Sequence, residues 1–556
     1  MLSARQRKLQ RKSAMFNERS SWMPHWQEIS AYQQPRTGRF VSSDRNRGGR
    51  RHNNIYDNTA LLAARTLAAG MMSGMTSPAR PWFRLTLSDT DLREVGRVKT
   101  WLHRSGVLLR EVFARSNTYR VLHAGYEELG LFGTWATVVL PDFDTVVHHY
   151  PMTIGEYAIG VDHRGIPNAL AREFELTVGA VVGQFGRENV SQTVRNLYDR
   201  HNMDSWVPVV HIIEPNPGRD SSKLDNKNMR FASHYMELGN ESDNRFLGES
   251  GFKRFPVLAP RWSVSGQDIY GSSPGQEALG DVKQLQHEQL RKSQGIDYQV
   301  NPPIQVPTAY KDAAKSRLPG GVMFVDENQG SAGVRSAYNV PINLQHLLLD
   351  IQDVRERIRS TYYADLFLML ANDTRSGVTA TEVAERHEEK LLMLGPVLER
   401  LHNELLSPMI DLAFDYCLEA GILPPIPPEL EGMDLNVEFV STLAQAQRVV
   451  SAQGMDRLLG TLGSMVTLYP HVTKKVNPMQ AIDDYAEMYG VNPEIIVPDD
   501  VVQQQVEAAE QAQQAASAAA AAPAAVDAMK TAGDVNAQGL GNVLDMFQGY
   551  STPSAG

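Results

Sequence analysis

Between Tyr270 and Gln447 the chain carries three long helical patterns around one small insert. The first helix is expected over 273–297, and a Pro/Gly-rich insert over 298–340. A second helix follows over 341–365, then a polar loop. A long third helix starts at Thr379-Ala380-Thr381-Glu382-Val383. Leu279, Val282, Leu285 and Leu290 give the first helix a narrow apolar stripe. In the second, Leu344, Leu347, Ile351, Val354 and Ile358 recur at alternating steps of three and four, a seam suited to helix against helix. The remaining faces are charged, and a helix of about 25 residues is roughly 37 Å long. A rod of that length with so thin a stripe buries little apolar area per residue. Neighbouring copies would supply the missing packing, so the pattern suits a ring or tube better than an enzyme pocket.

The rest of the chain fits a large α+β protein. At 556 residues it exceeds one compact core, so two or more domains are expected. No apolar run approaches the roughly 20 residues that span a bilayer, and no membrane partner is expected. The basic N-terminus lacks the apolar core of a signal peptide. The single Cys417 excludes an intrachain disulfide framework and fits a reducing cytoplasm.

Residues 1–34 read as helix, with Met15, Trp22, Trp26 and Ile29 near one face and Pro24 as a break. Residues 35–54 read as an Arg/Gly/Ser loop. A strong helix follows over 55–76, with Asp57 or Asn58 as its cap, and another over 90–115. Strands dominate 134–262, including Thr134–Leu140, Thr145–His148, Tyr157–Val161, Ala169–Leu176, Val207–Ile213 and Arg230–Glu237. In the third helix Leu391, Leu394, Leu398, Leu401 and Leu405 repeat the three–four spacing, while Pro396 and Pro408 should bend it. A short strand, Leu435–Val440, precedes helices over 441–490 and a Gln/Ala-rich segment over 501–526.

Net charge is −10, which argues against a protein that coats nucleic acid, but the charge is uneven. Twelve Arg and Lys residues crowd the first 57 positions against four acids, and the tail after residue 500 is acidic. Such a basic arm binds nucleic acid or an acidic surface, or is a solvated terminus.

Motifs for catalysis and metal binding are weak. There is no P-loop and no H-E-x-x-H helix. His148-His149 lies in a strand pattern, where adjacent side chains point to opposite faces and no ligand set accompanies them. Neither a metal nor a cofactor is expected. Gly271-Ser272-Ser273-Pro274-Gly275 matches the nucleophile elbow G-x-S-x-G. The oxyanion hole of that motif needs the backbone N–H after the serine, and Pro274 has none. A helix start with proline in its first turn is the better reading of Ser273. A serine hydrolase is the remaining enzymatic alternative, and a head–tail adaptor or another scaffold ring is the structural one.

Several phrases, in order, resemble the portal proteins of short-tailed bacteriophages, the head-to-tail connector family. They are Ile55-Tyr56-Asp57-Asn58-Thr59, Pro81-Trp82-Phe83, the hairpin Gly160 to Glu173, Tyr270 to Gly275, Asn301-Pro302-Pro303, Thr379 to Val383, and Glu438 to Gln447. The resemblance spans about Arg19 to residue 490. It implies a portal-type fold in a ring, usually a dodecamer, at one capsid vertex. Its implied parts are a basic arm (1–54), a wing (55–272), stem helices (273–297 and 341–365), a clip (298–340), a tunnel loop (366–378), a long wing helix with its return strand (379–440), a crown (441–500) and a C-terminal tail (501–556). The implied partners are further copies of the chain, double-stranded DNA read without sequence specificity, the terminase large subunit, the major capsid and scaffolding proteins, and tail adaptors. The implied site of action is the virion, assembled in the host cytoplasm. Lys283, Arg291, Lys292, Arg355, Arg359, Asn372 and Arg375 are the candidates to line the DNA channel. The other reading of each charged one is a salt bridge between neighbouring stem helices.

Overall fold

The computed structural model describes residues 3–41, 54–87, 95–223, 225–239, 245–307, 322–325, 335–336, 344–372, 394–430 and 435–439, with short pieces elsewhere. The chain divides into two compact units. One comprises Met1–Ser88 with Trp101–Gly454, and the other Asp89–Thr100 with Met455–Gly556. In the second, short helical pieces at 460–464, 505–509 and 511–513 are described.

The first unit mixes helices and sheets. Helix α1 (Ala4–Ser20) starts at a capping box, with Ser3 accepting from the Gln6 amide and the Gln6 side chain accepting from Ser3. The chain breaks at Ser21–Trp22, and α2 (Met23–Tyr32) restarts with proline in its first turn. Helix α3 (Thr59–Met75) buries an Ala-rich face and packs on α5 (Thr118–Phe132). Between them in sequence run β1 (Phe83–Leu87) and α4 (Gly96–Arg115), whose residues from Trp101 on belong to this unit. Strands β2 (Ala136–Asp142) and β3 (Val146–Met152) form an antiparallel hairpin.

Five strands make the main antiparallel sheet in the order β4-β5-β6-β7-β8. They are β4 (Tyr157–Val161), β5 (Pro167–Thr177), β6 (Trp206–Pro215), β7 (Phe231–Glu237) and β8 (Gly248–Phe252). Alternation along β6 splits the sheet's apolar load between two faces. Val207 and Val209 pack against α6 (Val178–Phe185) and α7 (Gln192–Asp199). Val210 and Ile212 pack with Met15 of α1. The sequence pattern placed only strands in this region. Val178 to Val182 has strong strand propensity, yet Thr177 and Ser191 cap the two helices and their valines close one face of the sheet.

Along α1 several cations of the basic N-terminal arm are tied to the main sheet, so this stretch is more than a solvated terminus. Two of its lysines meet carboxylates of the sheet and two of its arginines meet backbone carbonyls. Lys8 pairs with Glu214, and Lys12 with Glu173 at 2.5 Å. Buried Arg5 donates to the Glu237 carbonyl at 2.5 Å. Arg19 donates to the carbonyls of Gly155 and Tyr157 at 2.7 and 2.8 Å. Residues 42–48, 50, 52 and 53 of the arm lie outside the described residues.

After β9 (Val257–Leu258), which joins the β2–β3 pair, the short α8 (Pro274–Glu277) leads into α9 (Leu279–Val300). The insert holds a small sheet of β10 (Ile304–Pro307), β11 (Val322–Val325) and β12 (Arg335–Ser336), with β10 parallel to β11 and antiparallel to β12. Helix α10 (Leu344–Thr361) returns along α9. The expected end of this helix near 365 needs correction. The chain kinks at Tyr363, where φ is +53°, and continues as α11 (Ala364–Asn372). Residues 366–372, expected in a polar loop, are therefore helical, because Leu366 and Phe367 are buried and α11 packs on α3. Residues 373–393, with the expected start of the third helix, lie outside the described residues.

The third helix is described from residue 394. It bulges into a π-helical turn at His402–Leu406 and continues as α12 (Ser407–Glu419). Pro408 offers no N–H to the carbonyl four residues back and crowds it, so a widened turn just before it is the expected relief. Strand β13 (Leu435–Phe439) pairs with β1 across most of the chain's length.

Candidate functional site: the helical hairpin and its root

Helices α9 and α10 pack through the stripes expected from the sequence. Leu279, Val282, Leu285, Ile351, Val354 and Ile358 are all buried. Toward the insert that burial runs out. Ile296, Tyr298, Val300, Leu348 and Leu349 are exposed, Val300 by 79% and Leu349 by 58%. Among the described residues, apolar side chains at the far end of the hairpin thus remain exposed.

The near end is held by a polar root centred on Asp57, just before α3. The carbonyl oxygen of the Gln286 side chain, on α9, accepts the amides of Tyr56 and Asp57 at 2.6 and 2.8 Å. Its amide donates back to the Asp57 carbonyl at 2.8 Å. The Asp57 carboxylate takes Gln289 of α9 at 2.9 Å and both Nε and Nη2 of Arg355, on α10, at 3.0 and 2.6 Å. Its other oxygen accepts the Thr59 amide and hydroxyl, which anchors the first turn of α3. Burial pushes this carboxyl upward, but the bonds from Thr59 and Arg355 outweigh it and hold it below its ordinary value.

Other contacts finish the root. Gln33, at the end of α2, donates to the Gly275 carbonyl at 2.7 Å and accepts from the buried Tyr362 hydroxyl beside the α10–α11 kink. Arg357 pairs with Asp281 across the hairpin at 3.2 Å. Further out, Glu288 on α9 faces Asp350 on α10, and its carboxyl is raised by burial and then by that neighbouring charge.

The channel-lining candidates separate into groups. Lys283 is paired with Glu28 of α2 at 2.8 Å and lies over the Tyr32 ring, 5.5 Å from its centroid. Arg355 belongs to Asp57. Both are matched inside one protomer, by partners outside α9 and α10. Arg291 is exposed and, among the described residues, bonds along its own helix, to His287 and Gln294. Lys292 is half-buried on the next position, and Arg359 is exposed near the end of α10. Asn372 ends α11, and Arg375 lies outside the described residues. Asp57 and Gln286, which organise the site, were missed as functional residues. The one available signal was the capping position of Asp57, and nothing local marks Gln286.

Ser273 is a helix cap. Its side chain is fully buried, donates to the Leu131 carbonyl at 2.7 Å and accepts the Gln276 amide at 3.2 Å. The motif's glycines serve close packing. A Cβ on Gly275 would stand 2.3 Å from the Leu131 carbonyl oxygen, and one on Gly271 would stand 2.4 Å from that of Gly133. Of the His148-His149 pair, His149 is buried, and its backbone is clamped on both sides by the Asn117 amide group. Burial lowers its imidazole to about 4. Among the described residues no group of three or more His, Cys, Asp or Glu is placed to hold a metal ion, and no helix is long and apolar enough to cross a membrane.

The structure is a mixed α/β body bearing a helical hairpin whose far end exposes apolar side chains. The family model for the bacteriophage head to tail connecting protein matches residues 5–497, and the chain belongs to that family: it is a virion protein of the portal vertex of the capsid. It is 56% identical over 494 residues to the probable portal protein of Bordetella phage BPP-1, covering 89% of each chain. To the portal protein of Salmonella phage epsilon15 it is 44% identical over 500 residues, covering 90% of each. Among solved structures, the neck of an empty gene transfer agent particle aligns with 77% of this chain and 92% of its own, at 13% identity and a TM-score of 0.34. That likeness is too distant to carry a subunit arrangement across.

Proposed function

We propose that copies of this chain close into a ring, a dodecamer, whose α9–α10 hairpins line a channel for double-stranded DNA during packaging and ejection. The uncovered apolar end of the hairpin is the observation that carries this reading, because a neighbouring hairpin is the surface best matched to it. In this reading the five-stranded sheet and α12 belong to a wing, and the insert with β10–β12 forms a clip that docks the terminase and later the tail adaptor. The tunnel loop begins at the end of α11, and the segment after β13 forms the crown. Capsid and scaffolding proteins meet the ring from outside. Phosphate-level contacts carry no sequence information, which suits a conduit. With Lys283 and Arg355 matched inside the protomer, Arg291, Lys292 and Arg359 are the channel candidates, together with Asn372 and Arg375.

Electron microscopy of the purified chain tests the ring, and a chain that stays monomeric with its capsid partners present refutes it. Neutralising Arg291, Lys292 and Arg359 together should leave ring assembly intact and change DNA packaging or retention. Unchanged packaging would remove these residues from the channel.

A further inference from the structure

Helix α12 ends in a left-handed cap. Gly421 holds φ at +67°, its amide donates to the Leu418 carbonyl at 3.1 Å, and the Ile422 amide reaches back to Cys417 at 3.1 Å. The chain then runs Ile422-Leu423-Pro424-Pro425-Ile426-Pro427-Pro428-Glu429-Leu430. Each proline fixes its own φ near −65°. Leu423, Pro424, Ile426 and Pro427 also precede a proline, which steers them away from the helical region. The sequence therefore presets a polyproline II path, which turns once every three residues and makes no internal hydrogen bonds.

Burial follows that period. Pro424, Pro427 and Leu430 form the inner edge, the first two half-buried and the last buried. Ile422, Pro425 and Pro428 form a second edge, exposed throughout, and Ile426 and Glu429 expose the third. The inner edge is fastened at both ends. The Trp101 indole N–H donates to the Pro424 carbonyl at 3.1 Å, and the Leu430 amide to the Pro427 carbonyl at 2.9 Å. Among the described residues the carbonyls of Pro425 and Ile426 accept no hydrogen bond. A stiff connector would need the locked backbone but no apolar rim. Here Ile422 and Ile426 are 41% and 40% exposed, and Leu418, in the last turn of α12, is 45% exposed.

Trp101 shows the chemistry that reads such a ridge: an aromatic side chain whose N–H takes a proline carbonyl. We propose that the two outer edges dock in a groove of another protein lined by tryptophan and tyrosine rings, with a cation beside it for Glu429. Preformed polyproline segments suit such grooves because their backbone is ordered before binding and loses little entropy on docking. From Leu423 to Pro428 the ridge offers roughly 15 Å at 3.1 Å per residue. This docking surface lies outside the α9–α10 hairpin, so it stands or falls apart from the ring reading.

The test uses the full chain in cells that are producing particles, with p-benzoyl-phenylalanine in place of the exposed Leu418. Irradiation should join the chain to a second protein through a peptide that contains Trp or Tyr. Adding Pro425→Ala and Pro428→Ala together should cut the yield at least tenfold, the effect of about 1.4 kcal/mol in binding. Glu429→Lys should cut it severalfold. These changes leave Trp101 and the Leu430 anchor in place, so melting should stay within a few degrees of the wild type. No covalent product, a product whose yield ignores the two prolines, or one joined only to further copies of this chain would overturn the docking ridge.

Discussion

Removing the Glu404 side chain should open the joint between α12 and the β2–β9 region. Glu404 sits in the π-helical turn and is almost buried, at 10% side-chain exposure, against Arg261 at 3%. It accepts from the Arg261 amide, Nε and Nη2 at 3.0, 3.1 and 2.6 Å, and from Arg400 at 3.1 Å. In Glu404→Ala, Arg261 would keep only backbone carbonyls, chiefly Gly165 at 2.6 Å. Leaving one partner of a buried ion pair unmatched costs about 3–5 kcal/mol. At about 1.4 kcal/mol per tenfold, local opening should rise roughly 100- to 4,000-fold. Hydrogen exchange at the amides of Trp135, Val139 and Trp262 reads this directly, since they bond to Pro260, Pro256 and Gly133 around the same joint. The paired change Arg261→Met with Glu404→Leu should recover most of the loss, because it removes both charges and keeps volume. An acceleration below about tenfold in Glu404→Ala would refute the reasoning.

Two further outcomes depend on protons. Asp57→Asn should loosen the hairpin root by about 2–3 kcal/mol, the scale of bonds to a charged group, seen as faster exchange along α9 and α10. Because its folded pKa is depressed, the wild-type contribution is complete above about pH 4, the carboxyl's ordinary range, and is lost as pH falls through the lower folded value. Acid should therefore loosen the wild type toward the variant, and an equal response of both to acid would count against the hub. Glu128, on α5, accepts the Ile154 amide at 3.2 Å, and burial pushes its carboxyl to about 8. A raised carboxyl costs nothing below its unfolded value of 4.5, and the cost grows as pH rises to about 8. At ~1.4 kcal/mol per pKa unit the upper limit is roughly 5 kcal/mol. The side chain is only partly covered, so about 2 kcal/mol is expected after solvent screening. Glu128→Gln should match the wild type in thermal stability at pH 4 and exceed it at pH 9, and no gain at pH 9 would contradict this.

What was legible in the sequence follows the range of the forces involved. The hairpin was legible because its burial repeats every three or four residues, and the strands of the main sheet because theirs repeats every two. Helices α6 and α7 were hidden because Val178 to Val182 favours a strand locally and becomes helical only by covering a sheet formed elsewhere. The polar contacts were least legible, since their partners are far apart: Lys12 and Glu173 are separated by 161 positions, and Arg355 and Asp57 by 298. A sequence shows that a cation needs a counter-charge without showing whether a ligand or the chain itself supplies it. The basic arm and the cations of α9 and α10 posed the same question. At Lys8 and Lys12 of α1, and at Lys283 and Arg355, the chain supplies the counter-charge. At Arg291, no carboxylate of the described residues does so. The difference tracks position: matched cations lie at the root, where other elements crowd the hairpin, and Arg291 lies farther along α9, past the last buried residue of its stripe. The same stretch of α9 that loses its apolar cover also carries an unmatched charge. Both deficits would be met by one arrangement, with a neighbouring hairpin against the apolar edge and a polyanion along the charged one.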